Sequence, residues 1–304
     1  MKPRHFLTLL DLTAAELKRL MKRAMELKAM QRRGKRHAPL TGRTMAMIFE
    51  KSSTRTRVSF EAGMAQLGGT SLFLSPRDTH LDRGEPVEDT ARVMSRMVDL
   101  IVIRANSHAM VERFAANSRV PVINALTDLN HPCQLLADIQ TYLEKRGSIA
   151  GKKAAWVGDG NNVCHSWISA SHQFKFQLDI ATPGGYEPNQ EWVSACRDHV
   201  KLHHDPQLAV RDADIVVTDT WASMGQEHEK AERAKAFSGF MVDNKLMKLA
   251  KKDALFMHCL PAYRGAEVAA EVIDGPQSVI WDEAENRLHA QKALLEFLLA
   301  VPAK

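Results

Sequence analysis

TMAMIFEKSSTRTRVSFEAGMAQLGGTSLFL, from Thr44 to Leu74, contains two short apolar runs separated by a helical pattern. The runs at residues 44–49 and 70–74 are rich in residues that favour strands, and apolar residues recur at helical spacing between them. A strand, a helix and a second strand in this order are typical of a βαβ unit, whose strands are parallel. The stretch therefore predicts an α/β fold built on a parallel sheet.

The same alternation of strand and helix patterns extends along the chain. Thr13–Glu16 reads as a capping box that begins a first helix, and strands are predicted at residues 100–103 and 120–126. A predicted helix from Pro132 ends at Gly147, after which the alternation starts again. The predicted strands of the second half are KAAWVG at 153–158, LDIATP at 178–183, ADIVVTDT at 213–220, ALFMHCLP at 254–261 and SVIW at 278–281.

Length and alternation together predict two domains. The chain has 304 residues, a length that suits about two domains of ordinary size. We predict two doubly wound parallel-sheet domains, residues 1–147 and 148–283, with the active site in the cleft between them, because ligands bind beyond the carboxyl ends of such strands. The final amphipathic helix, about residues 284–304, can pack back on either domain, the first included.

The composition excludes several classes of protein. Hydrophobic residues make up 45% of the chain and charged residues 25%, an ordinary globular balance. The formal charge is +5, but the basic residues are mixed with acidic ones, so we predict no nucleic-acid partner. No stretch approaches the roughly 18 apolar residues of a membrane span, and we expect a cytoplasmic protein without a membrane partner. The 4 cysteines include no Cys-x-x-Cys pair, which argues against structural zinc and a disulfide framework.

The opening stretch carries an anion-binding pattern. Residues 51–57 lie between a predicted strand and the start of a helix, where unpaired N–H groups and the helix dipole favour an anion. The guanidinium groups and hydroxyls that suit phosphate oxygens belong to Arg55, Arg57, Ser53, Thr54 and Thr56. A helix cap needs only one hydroxyl, so we interpret the stretch as a phosphate site rather than a cap flanked by surface arginines.

Further polar residues follow the next strands of the first half. Arg104 is a second cation at a strand end, where a surface salt bridge is the alternative. His131 precedes Pro132 at a helix start, and Gln134 faces the same way three residues later. The helix dipole disfavours the charged imidazole, so we predict that His131 is neutral and donates an N–H to a carbonyl oxygen.

The second half begins like a dinucleotide-binding fold but departs from that pattern. Gly158 and Gly160 follow a strand, yet Val163 stands where the third glycine is needed, and the next strand lacks the ribose-binding acid. NAD binding is therefore the weaker interpretation. Asn162, at the start of the next predicted helix, can instead hold a carboxylate.

Two later strands also end in polar residues. Asp219 can cap a helix or give the cleft a negative charge for an ammonium group, and a turn at 223–225 follows it. His258 and Cys259 come directly after another strand, before the turn that Pro261 imposes. A small buried apolar side chain is the alternative role for a free cysteine such as Cys259.

Four separated motifs together resemble the ornithine carbamoyltransferases of the aspartate/ornithine carbamoyltransferase family. They are Ser53-Thr54-Arg55-Thr56-Arg57, His131-Pro132-Cys133-Gln134, Asp219 with Ser223-Met224-Gly225, and His258-Cys259-Leu260-Pro261. The resemblance covers essentially the whole chain. It implies transfer of the carbamoyl group of carbamoyl phosphate to the δ-amine of L-ornithine, giving L-citrulline and phosphate, in arginine biosynthesis. It also implies a homotrimer or a multiple of trimers, with no metal and no organic cofactor.

The resemblance implies roles for individual residues. The carbamoyl phosphate ligands from the first half would be Ser53, Thr54, Arg55, Thr56, His80, Arg104, His131 and Gln134. The ligands that close over it from the second half would be Cys259, Leu260 and Arg287. The ornithine ligands would be Asn162, Asp219, Ser223 and Met224, and the catalytic set Arg55, Arg104, His131, Cys259 and Asp219. His80 replaces the glutamine usual in the family, in a loop that reaches a neighbouring subunit in relatives.

The implied chemistry needs a polarised carbonyl and a free amine. Arg55, Thr56 and His131 would point donors at the carbonyl oxygen as it gains charge. An alkyl amine has a pKa of about 10.4, so deprotonating it at neutral pH costs roughly 4 to 5 kcal/mol. We expect Asp219 to secure recognition while Cys259, with His258 nearby, relays the proton without forming a thioester. A carbamoyltransferase for another amine, such as putrescine or an N-acylated ornithine, and a noncatalytic binding protein of the same fold are the alternatives.

Overall fold

A computed structural model describes residues 3–79, 84–222 and 229–300. The chain divides into two compact units, Met1–Gln140 with Glu285–Lys304 and Thr141–Ala284. Each unit contains helices and one wholly parallel sheet, which confirms the predicted fold class of two parallel-sheet α/β domains. Within the described ranges, every helix is too short or too polar to cross a bilayer.

The first part of the chain alternates helices and strands as predicted. In chain order the elements are α1 (Ala14–Arg32), β1 (Thr44–Phe49), α2 (Thr54–Gln66), β2 (Thr70–Leu74), α3 (Val87–Met94), β3 (Leu100–Arg104), α4 (His108–Asn117), β4 (Val122–Leu126) and α5 (Pro132–Arg146). Short 3-10 helices lie at Leu9–Asp11 and Pro76–Asp78. The predicted capping box is confirmed, because Thr13 Oγ1 accepts the Glu16 N–H while the Glu16 carboxylate accepts the Thr13 N–H.

The remaining elements build the second sheet and the closing helix. They are β5 (Lys153–Val157), α6 (Asn162–Phe174), β6 (Gln177–Ala181), α7 (Gln190–Ala195), β7 (Val200–His203), α8 (Pro206–Val210), β8 (Ile215–Thr218), α9 (Lys230–Ala236), α10 (Asn244–Met247), β9 (Leu255–His258), α11 (Ala270–Ile273) and α12 (Ile280–Leu298). A 3-10 helix at Arg197–His199 precedes β7. The boundaries between the two units fall inside α5 and α12.

Both sheets reverse their strand order at one point. The first has the order β2-β1-β3-β4, so the chain moves outward from β1 to β2 and then returns past β1 to β3. The second has the order β7-β6-β5-β8-β9 and reverses between β5 and β8. Connections to the two sides of such a point diverge and leave a crevice beyond the carboxyl ends of the strands. These two points are where functional residues are expected.

Each sheet is held by its own apolar core. In the first unit the buried side chains of Ile48, Ile101 and Phe114 belong to one cluster. In the second unit Val216 and Phe256 belong to another, which also includes side chains from α8 to α11. Burying such a side chain stabilises the fold by about 1.5–3 kcal/mol. The cores thereby fix the strand ends from which the polar loops emerge.

Two strand predictions differ from the structure. The predicted strand at residues 278–281 is wrong, because Ser278 forms only an isolated bridge with Phe256 and α12 begins at Ile280. A short apolar run does not distinguish a strand from a buried helix turn, and Ile280 is fully buried. In contrast, β7 was not predicted, because this edge strand exposes half of its residues and therefore lacks an apolar run.

Candidate active site

The first unit places its candidate residues beyond the ends of β1, β3 and β4. Phe49, the last residue of β1, pairs with Arg104, the last residue of β3. Glu50 donates its main-chain N–H to the Arg104 carbonyl oxygen at 2.8 Å and accepts the Asn106 N–H on Oε2 at 2.7 Å. These bonds tie together the loops after β1 and β3, at the reversal point of the sheet.

Ser53 to Thr56 form the entry to α2. Ser53 is the N-cap residue and has an extended backbone, but its side chain makes no capping hydrogen bond. Ser53 therefore occupies the cap position without using its hydroxyl to cap α2. Thr54 is exposed, Arg55 is partly exposed and Thr56 is buried, so the stretch presents both surface and interior donors at one helix N-terminus.

A buried polar network connects this stretch to α5 and α12. Arg287 donates from Nη2 to Thr56 Oγ1 at 3.1 Å and from Nη1 to Gln134 Oε1 at 2.7 Å. Gln134 donates from Nε2 to Asp138 Oδ1 at 2.8 Å. Each of these four side chains is at most 2% exposed. The network fixes the orientation of the Gln134 amide, because one end faces a cation and the other a carboxylate.

The location of Arg287 corrects one expectation. The sequence analysis assigned it to the second half, together with Cys259 and Leu260. The structure places it on α12 in the part of that helix that belongs to the first unit, where it contacts Thr56 and Gln134. The physical reason is that this part of α12 is fixed to the first unit, through the ion pair of Glu296 with Arg23 on α1 and the hydrogen bond of Lys292 to Gln66 on α2.

His131 lies among the cations of the first unit. It is 5% exposed, and burial lowers the pKa of its imidazole well below the usual value, with further lowering by the charges of Arg287, Arg104 and Arg55. The imidazole is therefore neutral at neutral pH, as predicted, although burial is the main cause. The charges of these three guanidinium groups therefore all disfavour the protonated form of this one imidazole.

Arg57 has a different environment. Its Nε donates to Glu61 Oε1 at 3.0 Å, and its guanidinium carbon lies 3.7 Å from the centre of the Phe73 ring. The interpretation of Arg57 as a further phosphate ligand is not supported by these contacts. The side chain stabilises the exposed face of α2 against β2 instead.

In the second unit, Asp219 is the centre of a hydrogen-bonded cluster. Its Oδ1 accepts the Thr220 N–H at 2.8 Å and the Cys259 Sγ–H at 3.2 Å, and its Oδ2 accepts from Asn161 Nδ2 at 2.8 Å. Asp219 follows β8, Cys259 follows β9 and Asn161 follows β5. The cluster therefore spans the reversal point of the second sheet and presents a carboxylate supported by three donors.

Asn161 was missed by the sequence analysis, which selected its neighbour. Asn162 is the first residue of α6, whereas Asn161 is the N-cap, whose Oδ1 accepts the N–H groups of Val163 at 3.0 Å and Cys164 at 3.1 Å. The preference for asparagine at N-caps was a signal that could have identified it. Both asparagines are partly exposed at the end of β5.

The hydrogen bonds of His258 argue against its predicted part in proton transfer. Its Nδ1 accepts the Leu260 N–H at 2.9 Å, and its Nε2 faces Glu267 Oε1 at 3.2 Å. Both ring nitrogens are therefore occupied, with the proton assigned to Nε2. His258 supports the turn in which Leu260 adopts a left-handed φ of 60°, so its role is to shape the segment that carries Cys259.

Gly160 has a structural explanation that does not involve a dinucleotide. A Cβ at this position would collide with the backbone of Glu187 and Pro188, and the Gly160 N–H donates to the Tyr186 carbonyl oxygen at 2.9 Å. The close approach that glycine permits here is made by the protein's own loop. This contact removes the main support for the NAD interpretation.

One group of side chains in the described ranges has the chemistry of a metal site. Asp219, His258 and Cys259 offer ligand atoms that lie within 4.8 Å of one another. Their atoms already form hydrogen bonds with Asn161, Leu260 and each other, so the cluster is satisfied by protein groups. Three other predicted site residues, His80, Ser223 and Met224, lie outside the residues that the structure describes.

Two successive parts of the chain match two domains of one known protein family. Residues 4–144 match the family model described as the carbamoyl-P binding domain of aspartate/ornithine carbamoyltransferase, and residues 150–298 match its Asp/Orn binding domain. A protein of Nitrosococcus oceani named ornithine carbamoyltransferase is 64% identical, with 97% of each chain covered. A protein of the same name from Methylococcus capsulatus is 63% identical, covering 98% of this chain and 99% of the relative.

Solved structures are also similar to this chain over nearly its whole length. An ornithine carbamoyltransferase from Pyrococcus furiosus is 50% identical, with a TM-score of 0.95 and 99% of each chain covered. The structure of ornithine carbamoyltransferase from Burkholderia thailandensis is 52% identical, with a TM-score of 0.91, and covers 97% of this chain and 98% of that one. The similarity therefore extends through both units.

Proposed function

The chain belongs to the aspartate/ornithine carbamoyltransferase family, and from this premise we propose that it transfers the carbamoyl group of carbamoyl phosphate to the δ-amine of L-ornithine. The products are L-citrulline and phosphate. The first unit binds carbamoyl phosphate and the second binds ornithine. The observation that carries this proposal is the buried network in which Arg287 links Thr56 at the entry to α2 with Gln134 on α5. The charges of Arg55, Arg104 and Arg287 also lower the pKa of the buried His131.

These side chains suit each stage of the acyl transfer. Three guanidinium groups at a helix N-terminus attract the phosphate dianion and stabilise it as it leaves. A neutral imidazole supplies an N–H donor to the carbonyl oxygen, where negative charge develops in the tetrahedral species. Ser53 and Thr54 add hydroxyl donors, and Gln134 and Thr56 are held by Arg287 for the same purpose. No metal is required, because the leaving group is already a good one.

The second cluster suits a cationic amino acid. Asp219 provides the negative charge that recognises an ammonium group, while Asn162 begins the helix after β5 and Leu260 lies in the loop after β9. Cys259 Sγ lies 3.2 Å from Asp219 Oδ1, where a thiol donates its proton to the carboxylate. We therefore propose direct transfer to the amine, without a thiocarbamoyl intermediate. Displacing water from the amine lowers its pKa, because the charged form loses hydration.

A steady-state assay with a panel of amines tests the proposed function. L-Ornithine is expected to give kcat/KM at least about 100-fold above that of putrescine or N-acetylornithine, because each lacks a charged group and leaves buried polar groups unpaired. L-Aspartate is the matched control for the family's other substrate. Colorimetric detection of carbamoylated product measures all four. Binding of carbamoyl phosphate without any product would favour the noncatalytic alternative, and a preference for putrescine would favour the other amine class.

We also propose that the chain assembles as a homotrimer or a multiple of trimers. The support is a set of exposed apolar side chains in the first unit: Val58 on α2, Leu72 on β2, Val93 on α3 and Met97 in the turn after α3 are 49–75% exposed. Burial of such side chains between subunits stabilises an oligomer. We further propose a cytoplasmic role in arginine biosynthesis, because the mixed anhydride of carbamoyl phosphate drives the reaction toward citrulline.

Replacing Met97 with glutamate is expected to dissociate the assembly, because a charge would be buried at the subunit contact. Light scattering after gel filtration should shift from about three times the 34.0 kDa chain mass to a single chain. Leu208→Glu is the matched control, since Leu208 is 52% exposed in the second unit. An unchanged mass for Met97→Glu, or equal dissociation by both variants, would contradict the assignment of this face.

A further inference from the structure

Asn161 uses both ends of its side-chain amide. Its Oδ1 caps α6 by accepting two main-chain N–H groups, and its Nδ2 donates to Asp219 Oδ2 at 2.8 Å. The cap fixes the position of the side chain relative to α6, and the donor end fixes one oxygen of Asp219. A single residue therefore connects the loop after β5 with the loop after β8.

The other oxygen of Asp219 is held from different directions. Oδ1 accepts from the Thr220 main chain and from Cys259 Sγ. Without the Asn161 donor, these two bonds would still hold Oδ1, but the carboxylate plane could rotate about them. Asp219 is only 7% exposed, so water replaces a lost donor poorly. The direction in which the carboxylate meets an ammonium group thus depends on residue 161.

We propose that Asn161 is a positioning residue that orients Asp219 toward the ammonium group of the substrate, and that a neutral amide is required there. The inference rests on the proposed function of the second unit. A serine would preserve the helix cap but would be too short to bridge both groups. An aspartate would preserve the cap and the length, but it would place a second carboxylate against Asp219.

These two substitutions separate orientation from helix capping. Asn161→Ser is expected to raise KM for ornithine about tenfold or more, since it removes one hydrogen bond to a charged group, and to change KM for carbamoyl phosphate by less than about twofold. Asn161→Asp is expected to raise KM for ornithine further at pH 8. Its defect should shrink as the pH falls toward 6, because two facing carboxylates share a proton and the protonated one donates as the amide did.

Asn189 supplies the matched control. It is also an N-cap asparagine of the second unit, and its side chain accepts the Glu191 N–H at 2.7 Å to cap α7. Asn189→Ser and Asn189→Asp change the same chemical groups at a helix start that does not contact Asp219. Both should leave the two KM values and their pH dependence within about twofold of the unaltered chain, because exposed caps affect stability alone.

The kinetic comparison uses the full chain, with thermal melting as the check on folding. Equal changes at positions 161 and 189, or equal changes in both KM values, would overturn the inference while leaving the proposed function intact. The same holds if the Asn161→Asp defect does not depend on pH. Failure of the unaltered chain to form citrulline would instead refute the proposed function, and the inference with it.

Discussion

Replacing Arg55 with alanine is expected to lower kcat/KM for carbamoyl phosphate by about 10²–10³-fold, the usual cost of removing one donor from developing charge. The residue lies in the first turn of α2, and its charge acts on the buried imidazole of His131. Its guanidinium would contact both the departing phosphate and the carbonyl oxygen. We therefore expect kcat to decrease and KM to increase, since the interaction strengthens as charge develops.

Arg57 provides a control two residues away on the same helix. Arg57→Ala removes the same charge and side chain, but its partners are Glu61 and the Phe73 ring. An exposed pair of this kind contributes little, so kcat/KM should change by less than about threefold. The two variants have equal net charge, and comparing them at two salt concentrations removes any general electrostatic effect. Similar losses in both variants would contradict the assignment of Arg55.

The fold was predictable because its signal is local. A buried parallel strand is an apolar run, and Thr44–Phe49 and Leu100–Arg104 both show it within a few residues. Helix starts were predictable for the same reason, as at Thr13 and Pro132. The edge strand Val200–His203 lacked this signal, because it is covered less completely than the central strands.

Site residues could be predicted only where several of them lie close together in the sequence. Residues 53–56 and 131–134 are local groups of donors, and the structure links Thr56 with Gln134 through Arg287. Arg287 was assigned to the wrong unit, because no local pattern shows against which sheet a closing helix packs. Asp138 and Asn161 were missed, because their roles are hydrogen bonds to Gln134 and Asp219 that appear only in three dimensions.

The two units place side chains of opposite charge at the reversal points of their sheets. In each, the reversal of strand order brings loops from two or three strands to one place. The first unit fills that place with guanidinium groups and a neutral imidazole, and the second with a carboxylate supported by neutral donors. This division matches a dianionic donor and a cationic acceptor.

Replacing His131 with alanine is expected to lower kcat by about 10²–10³-fold, because it would remove the N–H donor that we propose for the carbonyl oxygen. His131→Gln keeps a neutral N–H donor of similar reach and should retain more activity than the alanine variant. His108→Gln is the matched control, since His108 is also buried in the first unit but hydrogen-bonds Thr127. Its kcat should be unchanged. Equal kcat values for the alanine and glutamine variants at position 131 would contradict the donor role.

The same variants test whether His131 is neutral, through the pH dependence of the free energy of unfolding. Its pKa is held well below about 6.5 in the folded chain, so the unfolded chain binds the proton first as the pH falls. The stability that neutral His131 contributes is complete above pH 6.5 and is lost below it, by about 1 kcal/mol between pH 6.5 and 5.5.

Urea unfolding of His131→Gln should lack this part of the loss of stability at low pH. His108→Gln should lack a similar part, because burial also lowers the pKa of His108, yet it should keep full activity. An acid dependence for His131→Gln equal to that of the unaltered chain would mean that the pKa of His131 is the same in the folded and unfolded chain, which would contradict the lowered pKa.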